Sequence, residues 1–420
     1  MDTPGAGPSR NSDGSAGASS AFKPPTVTLT QEVLSQFQPA KRFKDAVAET
    51  TTMALNGTMK HSVTSLCFED AGDRVITAGD DDQFVLWDAR KGKKLKTFYS
   101  KKYGIDHICP THKSGTILHA STKGDDHAVR YHSMHDNKYL AYFKGHTARV
   151  RRIHMSPIDD TFVTSGDDGT VRLWDLRANA CKGLVQDLGG SAIVAMDNTG
   201  MVFAVACSAT QTIMMFASKT MDAMPFIHQP LIDKSLESLS TPPPKPIFTS
   251  LQFSNNGHYL LVGTSSDVHY ILDAIYLTPI RRLVGHLGLE RDASGNKGVE
   301  PRRGVSGDEL TWTADSRWVI SGSADGNLVF WDLSPPPGKA KLERDDYMNG
   351  NFDPENPPDW TTMQIPELRP AMVLPPHGGE GPTRAVKFSP RYNVMAVGGH
   401  DFSFWMPVKD EETRLAAEGY

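Results

Sequence analysis

The chain has 420 residues, with 44 Lys and Arg against 49 Asp and Glu and a formal net charge of -5. This charge argues against bulk electrostatic binding to DNA or RNA, so we expect no direct contact with nucleic acid. The four cysteines include no C-x-x-C pair, which is typical of reduced thiols in a cytosolic or nuclear protein.

The N-terminal part of the chain predicts a tail, a helix and a strand. Residues 1–25 are rich in Gly, Ser and Pro and lack the apolar run of a signal peptide or membrane span, which predicts a disordered tail. Residues 29–37 predict a short helix with Thr30 as its N-cap. Residues 40–45 follow as a candidate strand.

Seven segments in the rest of the chain each predict two β-strands joined by a Gly, Asn or Asp turn. Three of them close on a Trp-Asp pair, at Trp87, Trp174 and Trp331, and TFVTSGDDGTVRLWD at 161–175 is the best preserved. The four weaker copies end at His132, Phe216, Leu272 and Trp405. One such unit cannot bury its own apolar faces. The repeats therefore predict an all-β, seven-bladed β-propeller of the WD40 type at residues 26–407.

The last repeat predicts only three strands before a C-terminal tail at 408–420. We expect residues 40–45 to supply the fourth strand and close the ring, because an unpaired sheet edge would expose backbone donors and acceptors. The helix at 29–37 should then pack against the ring.

Three insertions interrupt the repeat, at 231–246, 287–307 and 334–368. The first two are expected on one face of the ring and the third on the opposite face. Such insertions either mark a binding surface or reflect neutral variation in loop length, and the sequence favours neither explanation.

The repeats resemble those of WD-repeat proteins, in which a His, a Ser or Thr, an Asp and a Trp form a buried hydrogen-bond relay. The resemblance assigns this structural role to two sets of residues: His146, Thr164, Asp168 and Trp174, and His286, Ser321, Asp325 and Trp331. The first repeat lacks the His. The same residue types could form a hydrolase triad. However, the set recurs and no G-x-S-x-G turn is present, so we expect no catalytic residue. We also expect no cofactor, since the sequence has no P-loop or dinucleotide fingerprint, and no metal, since spacing fixes no fourth ligand beside His107, Cys109 and His112.

Charged residues beside the turns of the best repeats are candidates for binding partners. Arg149, Arg151 and Arg152 follow the Gly-His turn, and Asp80 and Asp167 lie in acidic turns. Arg forms bidentate pairs with phosphate, so Arg149 is a candidate for recognising a phosphorylated tail. The alternative is an ordinary ion pair at the rim of the ring.

Arg90 and Arg177 end two W-D-x-R motifs, WDAR and WDLR. Substrate receptors of cullin-based ubiquitin ligases carry this motif, and here the two copies lie in the first and third repeats rather than in successive ones. An alternative function is therefore a ligase substrate receptor that contacts its adaptor through these two arginines.

Stretches outside the generic repeat carry a more specific resemblance. They are YSKKYGID at 99–106, HDNKYLAYFKGH at 135–146 and MSPIDDTF at 155–162, together with LTQEVLSQF, AKRFK, LWDLRANACKGL and FWMP. With these, the chain resembles the Swd-two family of WD-repeat subunits, called WD-repeat protein eighty-two in animals.

The resemblance implies a non-catalytic nuclear adaptor in a COMPASS-type complex that methylates histone H3. It also implies an association with cleavage and polyadenylation or phosphatase complexes. The implied partners are the N-terminal region of the methyltransferase subunit and the serine-phosphorylated tail of RNA polymerase II. The enlarged loops depart from the family pattern, which leaves the contact residues open.

Overall fold

The structure is a computed structural model that describes residues 28–48, 52–54, 57–221, 224–239, 241–289, 307–344, 359–376 and 381–408. The predicted tail at 1–25 lies outside these ranges. So do residues 409–420, and residues 290–306 and 345–358 of two predicted insertions.

The described chain is almost entirely β-sheet. Its strands are β1 (Phe37–Phe43), β2 (Thr52–Ala54), β3 (Gly57–Met59), β4 (Val63–Phe68), β5 (Arg74–Gly79), β6 (Gln83–Asp88), β7 (Lys93–Tyr99), β8 (Asp106–Pro110), β9 (Thr116–Ala120), β10 (Val129–Ser133), β11 (Lys138–Phe143), β12 (Val150–Met155), β13 (Thr161–Gly166), β14 (Val171–Asp175), β15 (Ala178–Val185), β16 (Ala192–Met196), β17 (Val202–Cys207), β18 (Thr212–Ala217), β19 (Ile227–Pro230), β20 (Phe248–Phe253), β21 (Tyr259–Thr264), β22 (Val268–Asp273), β23 (Pro279–Val284), β24 (Leu310–Trp312), β25 (Trp318–Gly322), β26 (Leu328–Asp332), β27 (Glu367–Leu368), β28 (Met372–Leu374), β29 (Ala385–Phe388), β30 (Met395–Gly398) and β31 (Phe402–Pro407). One α-helix, α1 (Gln31–Ser35), and four 3-10 turns, Lys44–Ala46, Ser218–Thr220, Lys234–Ser238 and Trp360–Thr362, complete the described elements.

Except for β2 and β3, which pair with each other in a separate hairpin, these strands form seven blades, which confirms the predicted seven-bladed propeller. Pairing within the blades is antiparallel apart from that of β27. Blades one to four are β4–β7, β8–β11, β12–β15 and β16–β19, in chain order. Blade five is β20–β23 with β27 added, blade six is β24–β26 with β28, and blade seven is β29–β31 with β1. The first strand of each blade lies at the centre of the ring and contacts its neighbours there.

The hydrophobic core is divided among the junctions between blades. Seven clusters of buried side chains occur, and each joins two neighbouring blades, from the blade one and two junction at Ile76 and Ile108 round to the blade seven and one junction at Phe402 and Trp87. Inner strand β16 is covered on both sides and reads as a continuous apolar run, AIVAM at 192–196. Outer strand β11 alternates between exposed and more buried residues.

The ring closes as predicted, by pairing of the N-terminal and C-terminal parts of the chain. Strand β1 pairs antiparallel with β31, from Phe37 opposite Pro407 to Phe43 opposite Phe402. This strand begins three residues earlier than the predicted 40–45. Pro39 sits at an irregularity in the pairing, which an outer strand tolerates because it need not donate a backbone hydrogen bond on both sides.

The N-terminal helix is shorter than the predicted 29–37. Thr30 caps it, since its Oγ1 accepts a hydrogen bond from Val33 N at 3.3 Å. Phe37 belongs to β1 rather than to the helix, because residues just before Pro39 are disfavoured in helical conformation. Leu34 and Phe37 are buried in the cluster between blades six and seven, so the helix packs against the ring.

The described parts of two insertions meet at the outer edge of blade five. In the first, Asp233 accepts a hydrogen bond from Tyr270 Oη at 3.0 Å, and in the third, β27 pairs parallel with β23. Gln364 Nε2 donates to Ser235 Oγ at 3.4 Å and joins the two insertions. They do not project separately from opposite faces as the sequence predicts, because both cover the last strand of the same blade.

Candidate interaction surfaces

The ring has two faces with different turns. The upper face carries the turns between second and third strands and the Gly145-His146 turn. The lower face carries the first-hairpin turns, which include Asn198 and Asn255, and the turns that follow the Trp-Asp pairs.

The four relay residues of blade three form one connected chain of hydrogen bonds. Trp174 Nε1 donates to Thr164 Oγ1 at 2.9 Å, His146 Nε2 lies 2.8 Å from the same oxygen, and His146 Nδ1 lies 2.9 Å from Asp168 Oδ2. Burial alone would raise the pKa of Asp168, but hydrogen bonds from His146, Thr147 N and Thr170 hold that pKa well below its usual range. Thr164 is fully buried, so its hydroxyl cannot reach a substrate. The set therefore supports the blade.

In blade one an apolar side chain takes the place of the missing His. Ala48 N donates to Asp81 Oδ2 at 2.6 Å, just as Thr147 N donates to Asp168 in blade three, so Val47 stands where His146 stands. A Cβ on Gly79 would lie 2.8 Å from the Val47 side chain, as a Cβ on Gly166 would lie 3.0 Å from His146 Nδ1.

The predicted second relay in blade six is wrong. Its residues bind other partners: His286 Nε2 to Ser266 O at 3.0 Å, Ser321 Oγ to His269 Nε2 at 3.1 Å, Trp331 Nε1 to Val284 O at 3.0 Å, and Asp325 to Asn327 N at 3.1 Å. The physical reason is a serine, Ser323, at the position of Gly166. Its Oγ accepts from Leu287 N at 2.9 Å and so takes over the role of the turn carboxylate.

Blade two replaces the relay pair with two histidines that the sequence pattern does not single out. The strand register places His132 where blade three has Trp174, and His119 where blade three has Thr164. The two rings lie 5.9 Å apart, and His132 Nε2 donates to Asn137 Oδ1 at 3.1 Å. Spacing in the sequence does not reveal this, since 10 residues separate Thr164 from Trp174 whereas the longer turn of blade two puts His119 and His132 13 residues apart.

Buried histidines make the fold sensitive to acid. Burial lowers the pKa of His119 from 6.5 to about 3, and the pKa values of His107 and His154 from 6.5 to about 4. Above pH 6.5 these imidazoles are neutral in both the folded and the unfolded protein. Below pH 6.5 the unfolded chain takes up protons that the folded chain does not, so stability is lost as the pH falls from about 6.5 towards 4.

We expect His119→Leu to reduce this loss. At pH 5 the variant should escape a destabilisation of about 2 kcal/mol that the wild type suffers relative to pH 8. Denaturant unfolding at the two pH values measures the difference. His135, whose side chain is 91% exposed, provides the control substitution His135→Leu, which should behave as wild type. An unchanged pH dependence in His119→Leu would contradict the assignment.

The candidate arginines of the upper face are held in ion pairs. Arg149 Nη2 lies 2.6 Å from Asp106 Oδ2, with 27% of the arginine side chain exposed. Arg151 Nε lies 2.7 Å from Asp167 Oδ1, and its side chain is 31% exposed. Asp80, the other acidic candidate, accepts from Ser62 N at 2.9 Å and lies 2.9 Å from His61 Nδ1. Arg149 and Arg151 are therefore both ion-paired, and part of each side chain remains exposed.

Arg152 lies at the centre of the ring rather than at its rim. Its side chain is 11% exposed, and its Nη1 donates to Asp308 Oδ1 at 3.0 Å. Asp308 also accepts from Ser65 Oγ at 2.7 Å and lies 3.3 Å from Lys387 Nζ. Burial alone would raise the pKa of Asp308, but the charges of Lys387 and Arg152 hold that pKa well below its usual range. We call Asp308, Ser65, Arg152 and Lys387 the central network.

The central network joins four blades, since Ser65 belongs to β4, Arg152 to β12 and Lys387 to β29, while Asp308 precedes β24. The sequence pattern does not single out Asp308, because it directly follows the insertion at 287–307. A charged residue directly before an inner strand is the signal that could have identified it.

The two W-D-x-R arginines lie on the lower face. Arg90 is 66% exposed, with Nε 3.9 Å from Asp73 Oδ1, and Arg177 is 71% exposed, with Nε 3.1 Å from Asp175 Oδ1. Blade two separates them.

The described ranges also bear on membrane and metal sites. No described helix is long and apolar enough to cross a membrane. Within the same ranges, no three His, Cys, Asp or Glu side chains converge in a way that could hold a metal ion.

Comparisons with known proteins agree with this architecture. The family model for the WD domain, G-beta repeat, matches residues 51–88, 137–175 and 305–332. WD repeat-containing protein 82 of Drosophila melanogaster is 30% identical over 386 residues, which cover 92% of this chain and 99% of the relative. Set1 complex component swd2 of Schizosaccharomyces pombe is 30% identical over 400 residues, 90% of this chain and 99% of the relative. COMPASS component SWD2 of Saccharomyces cerevisiae is 28% identical over 382 residues, 91% of this chain and 98% of the relative. Such similarity over nearly the full length places the chain in the family of WD-repeat proteins that includes WD repeat-containing protein 82 and swd2.

Proposed function

We propose that this protein is a non-catalytic scaffold subunit of a COMPASS-type histone H3 methyltransferase complex in the nucleus. The observation that carries the proposal is the similarity along nearly the whole chain to relatives named as components of Set1 and COMPASS complexes. The buried relay of blade three and the ion-paired rim fit a rigid binding ring, since their polar groups support the fold. In this role the ring binds the N-terminal region of the methyltransferase subunit.

The proposal extends to transcription and mRNA 3'-end processing. In this extension the protein also joins cleavage and polyadenylation or phosphatase complexes and binds the phosphorylated tail of RNA polymerase II. The rival function, a cullin ligase substrate receptor, is supported by the exposure of Arg90 and Arg177 on the same face.

Affinity purification of the tagged full chain from nuclei, followed by mass spectrometry, tests the proposal. We expect the histone methyltransferase and the other subunits of its complex as the main partners, with polyadenylation or phosphatase subunits alongside. The double variant Arg90→Ala and Arg177→Ala should retain these partners. A cullin adaptor as the main partner, lost in the double variant, would overturn the scaffold proposal in favour of its rival.

Phosphopeptide binding tests the role of Arg149. We expect Arg149→Lys to weaken binding of a serine-phosphorylated polymerase-tail peptide roughly tenfold, because lysine keeps the charge beside Asp106 but loses bidentate contact with phosphate. Arg151→Lys, on the same rim, is the matched control and should bind as wild type. Fluorescence anisotropy with the labelled peptide measures both. Equal affinity for Arg149→Lys and wild type removes Arg149 from the phosphate site.

A further inference from the structure

The outer edge of blades one and two carries a dense run of lysines. Residues 91–104, which contain β7, include six lysines and no acidic residue, and residues 132–144, which contain β11, include two lysines and one aspartate. We call these two segments the basic edge. Seven of its eight lysines are exposed: Lys91, Lys93, Lys96, Lys101, Lys102, Lys138 and Lys144. The local charge is therefore opposite in sign to the net charge of -5, on which the expectation of no contact with nucleic acid rests.

The two segments of the basic edge form one surface. Lys96 Nζ donates to Met134 O at 3.2 Å and to His135 O at 3.3 Å, so this side chain reaches from β7 to the turn before β11. The centroids of the Tyr103 and Tyr139 rings lie 6.3 Å apart, which joins the segment after β7 to β11. A single extended ligand can therefore contact lysines of both segments.

Few carboxylates of the protein balance these lysines. Lys94 pairs with Asp45, with Nζ 2.9 Å from Oδ2. Within the described ranges, the other seven lysines of the basic edge form no ion pair with a carboxylate. Asp136, the one acidic residue of the basic edge, lies 2.7 Å from His135 Nδ1. An anion that runs along this edge is therefore attracted by several lysines at once.

Tyrosine rings lie among the lysines and are held in place by a buried arginine. The centroids of the Tyr139 and Tyr142 rings lie 5.6 Å apart, and the Arg130 guanidinium lies 3.6 Å from the centroid of the Tyr103 ring and 5.6 Å from that of Tyr142. Arg130 is fully buried, and its Nη2 donates to Asp126 Oδ2 at 2.6 Å, which fixes the guanidinium against the rings. Tyr142 is nevertheless 41% exposed, so a preorganised aromatic ring is open to a ligand.

This mixture of cations and rings is typical of sites for single-stranded nucleic acid, where cations contact the phosphates and bases stack on the rings. Lys102 Nζ lies 5.0 Å from the centroid of the Tyr103 ring, so a cation and a ring lie side by side. The seven residues of β7 span about 23 Å, which is long enough for several nucleotides.

Other anions fit the basic edge less well. A duplex would leave the tyrosines unused, because its bases already stack on one another. A phosphorylated side chain needs donors that converge on one group, commonly from arginine. The cations of the basic edge are instead all lysines, and they are spread along two strands.

We propose that the basic edge binds single-stranded nucleic acid, with a base stacked on Tyr142 and the phosphates held by the lysines of the two segments. The surface lies on the outside of the ring and leaves the upper and lower faces open to protein partners. The proposal goes beyond the proposed scaffold function and does not depend on it.

Fluorescence anisotropy of labelled strands of about 12 nucleotides, with the full-length protein, tests the proposal. We expect oligo(rU) and oligo(dT) to bind at least roughly tenfold more tightly than an abasic DNA strand of the same length and charge, because only the first two can stack on tyrosine. The tighter of the two shows whether the site serves RNA or DNA.

Four results of the wild-type measurements would overturn the assignment. They are equal binding of oligo(dT) and the abasic strand, equal binding of oligo(dT) and a DNA duplex of the same length, tighter binding of a serine-phosphorylated peptide, and no binding of oligo(rU) or oligo(dT) at ~100 µM protein. This concentration is the weak end of ordinary non-specific affinity for nucleic acid.

A tyrosine substitution locates the stacking position. Tyr142→Leu keeps an apolar side chain over Arg130 but removes the ring, so it should weaken binding of oligo(dT) roughly tenfold and leave binding of the abasic strand unchanged. Tyr276→Leu is the matched control, since Tyr276 is exposed in the turn after β22 of blade five, and it should bind as wild type. A folded Tyr142→Leu protein that binds oligo(dT) as wild type does refutes the stacking site.

Lysine substitutions locate the phosphate contacts. The logarithm of the affinity falls with the logarithm of the salt concentration by about 0.7 for each phosphate contact with a single strand. The double variant Lys101→Gln and Lys102→Gln should therefore lower this slope by roughly 1.4. Lys219→Gln, in the exposed turn Ser218–Thr220 of blade four, should leave it unchanged. Equal slopes for the double variant and wild type would contradict the phosphate contacts. The thermal transition of each variant shows whether it is folded, and the comparison of strands on the wild type stands without the variants.

Discussion

Deletion of residues 26–47 is expected to abolish cooperative folding of the ring. The deletion removes β1, which supplies the fourth strand of blade seven, and the buried side chains of Leu34, Phe37 and Val47. Each such side chain contributes about 1.5–3 kcal/mol, and the sum approaches the ~5–15 kcal/mol that holds a typical domain folded. It also leaves β31 as an unpaired edge.

Thermal unfolding followed by circular dichroism measures this effect. Deletion of residues 1–25 is the matched control, because it removes a similar length of chain and none of the described contacts, and its melting temperature should equal that of the wild type. A cooperative transition at an unchanged temperature in the 26–47 deletion would show that β1 does not close the ring.

Asp308→Asn is expected to destabilise the fold by about 3–5 kcal/mol, because it leaves Arg152 and Lys387 buried without their counterion. The substitution keeps the shape of the side chain, so the loss reports charge rather than packing. Denaturant unfolding at pH 7.5 gives the change in free energy of unfolding.

The neighbouring residue supplies a control in the same strand region. Burial raises the pKa of Glu309, whose carboxyl accepts from Thr249 Oγ1 at 2.6 Å, so Glu309→Gln should cost much less than Asp308→Asn. Adding Lys387→Met to Asp308→Asn should restore part of the lost stability. Similar losses for Asp308→Asn and Glu309→Gln would contradict an electrostatic role for the central network.

The sequence predicts the seven-bladed architecture well because each repeat contains the local strand and turn signals of its own blade. The alternation and turns of 161–175 identify a blade without knowledge of any distant contact, and the closing strand follows from the three-stranded last repeat. The predicted bounds of β1 differ from the observed ones by a few residues. The chain leaves the helix before Pro39, at a point that helix propensity alone does not predict.

The interaction surfaces are less accessible to sequence reasoning. His286 is the residue type that the relay requires. However, Ser323 fills the space that a glycine leaves in blade three, and the repeat pattern does not reveal this steric difference. In the central network Ser65 contacts Asp308, although the two residues are 243 positions apart in the sequence. A periodic sequence pattern does not predict such a contact. The position of Arg152 is missed for the same reason. The sequence places this residue beside the turns at the rim, whereas in the structure it lies at the centre of the ring.

Closure by β1 also has a consequence for biosynthesis. Phe37 is made early and pairs with Pro407, so the ribosome must add the 30 further described strands before β1 finds its partner. Until then the nascent protein is an open arc of blades, and the apolar side chains shared by blades seven and one, including Trp87 and Phe402, face water. Both ends of such an arc expose apolar side chains and unpaired strand edges. Newly made chains therefore need protection from aggregation until the last blade emerges.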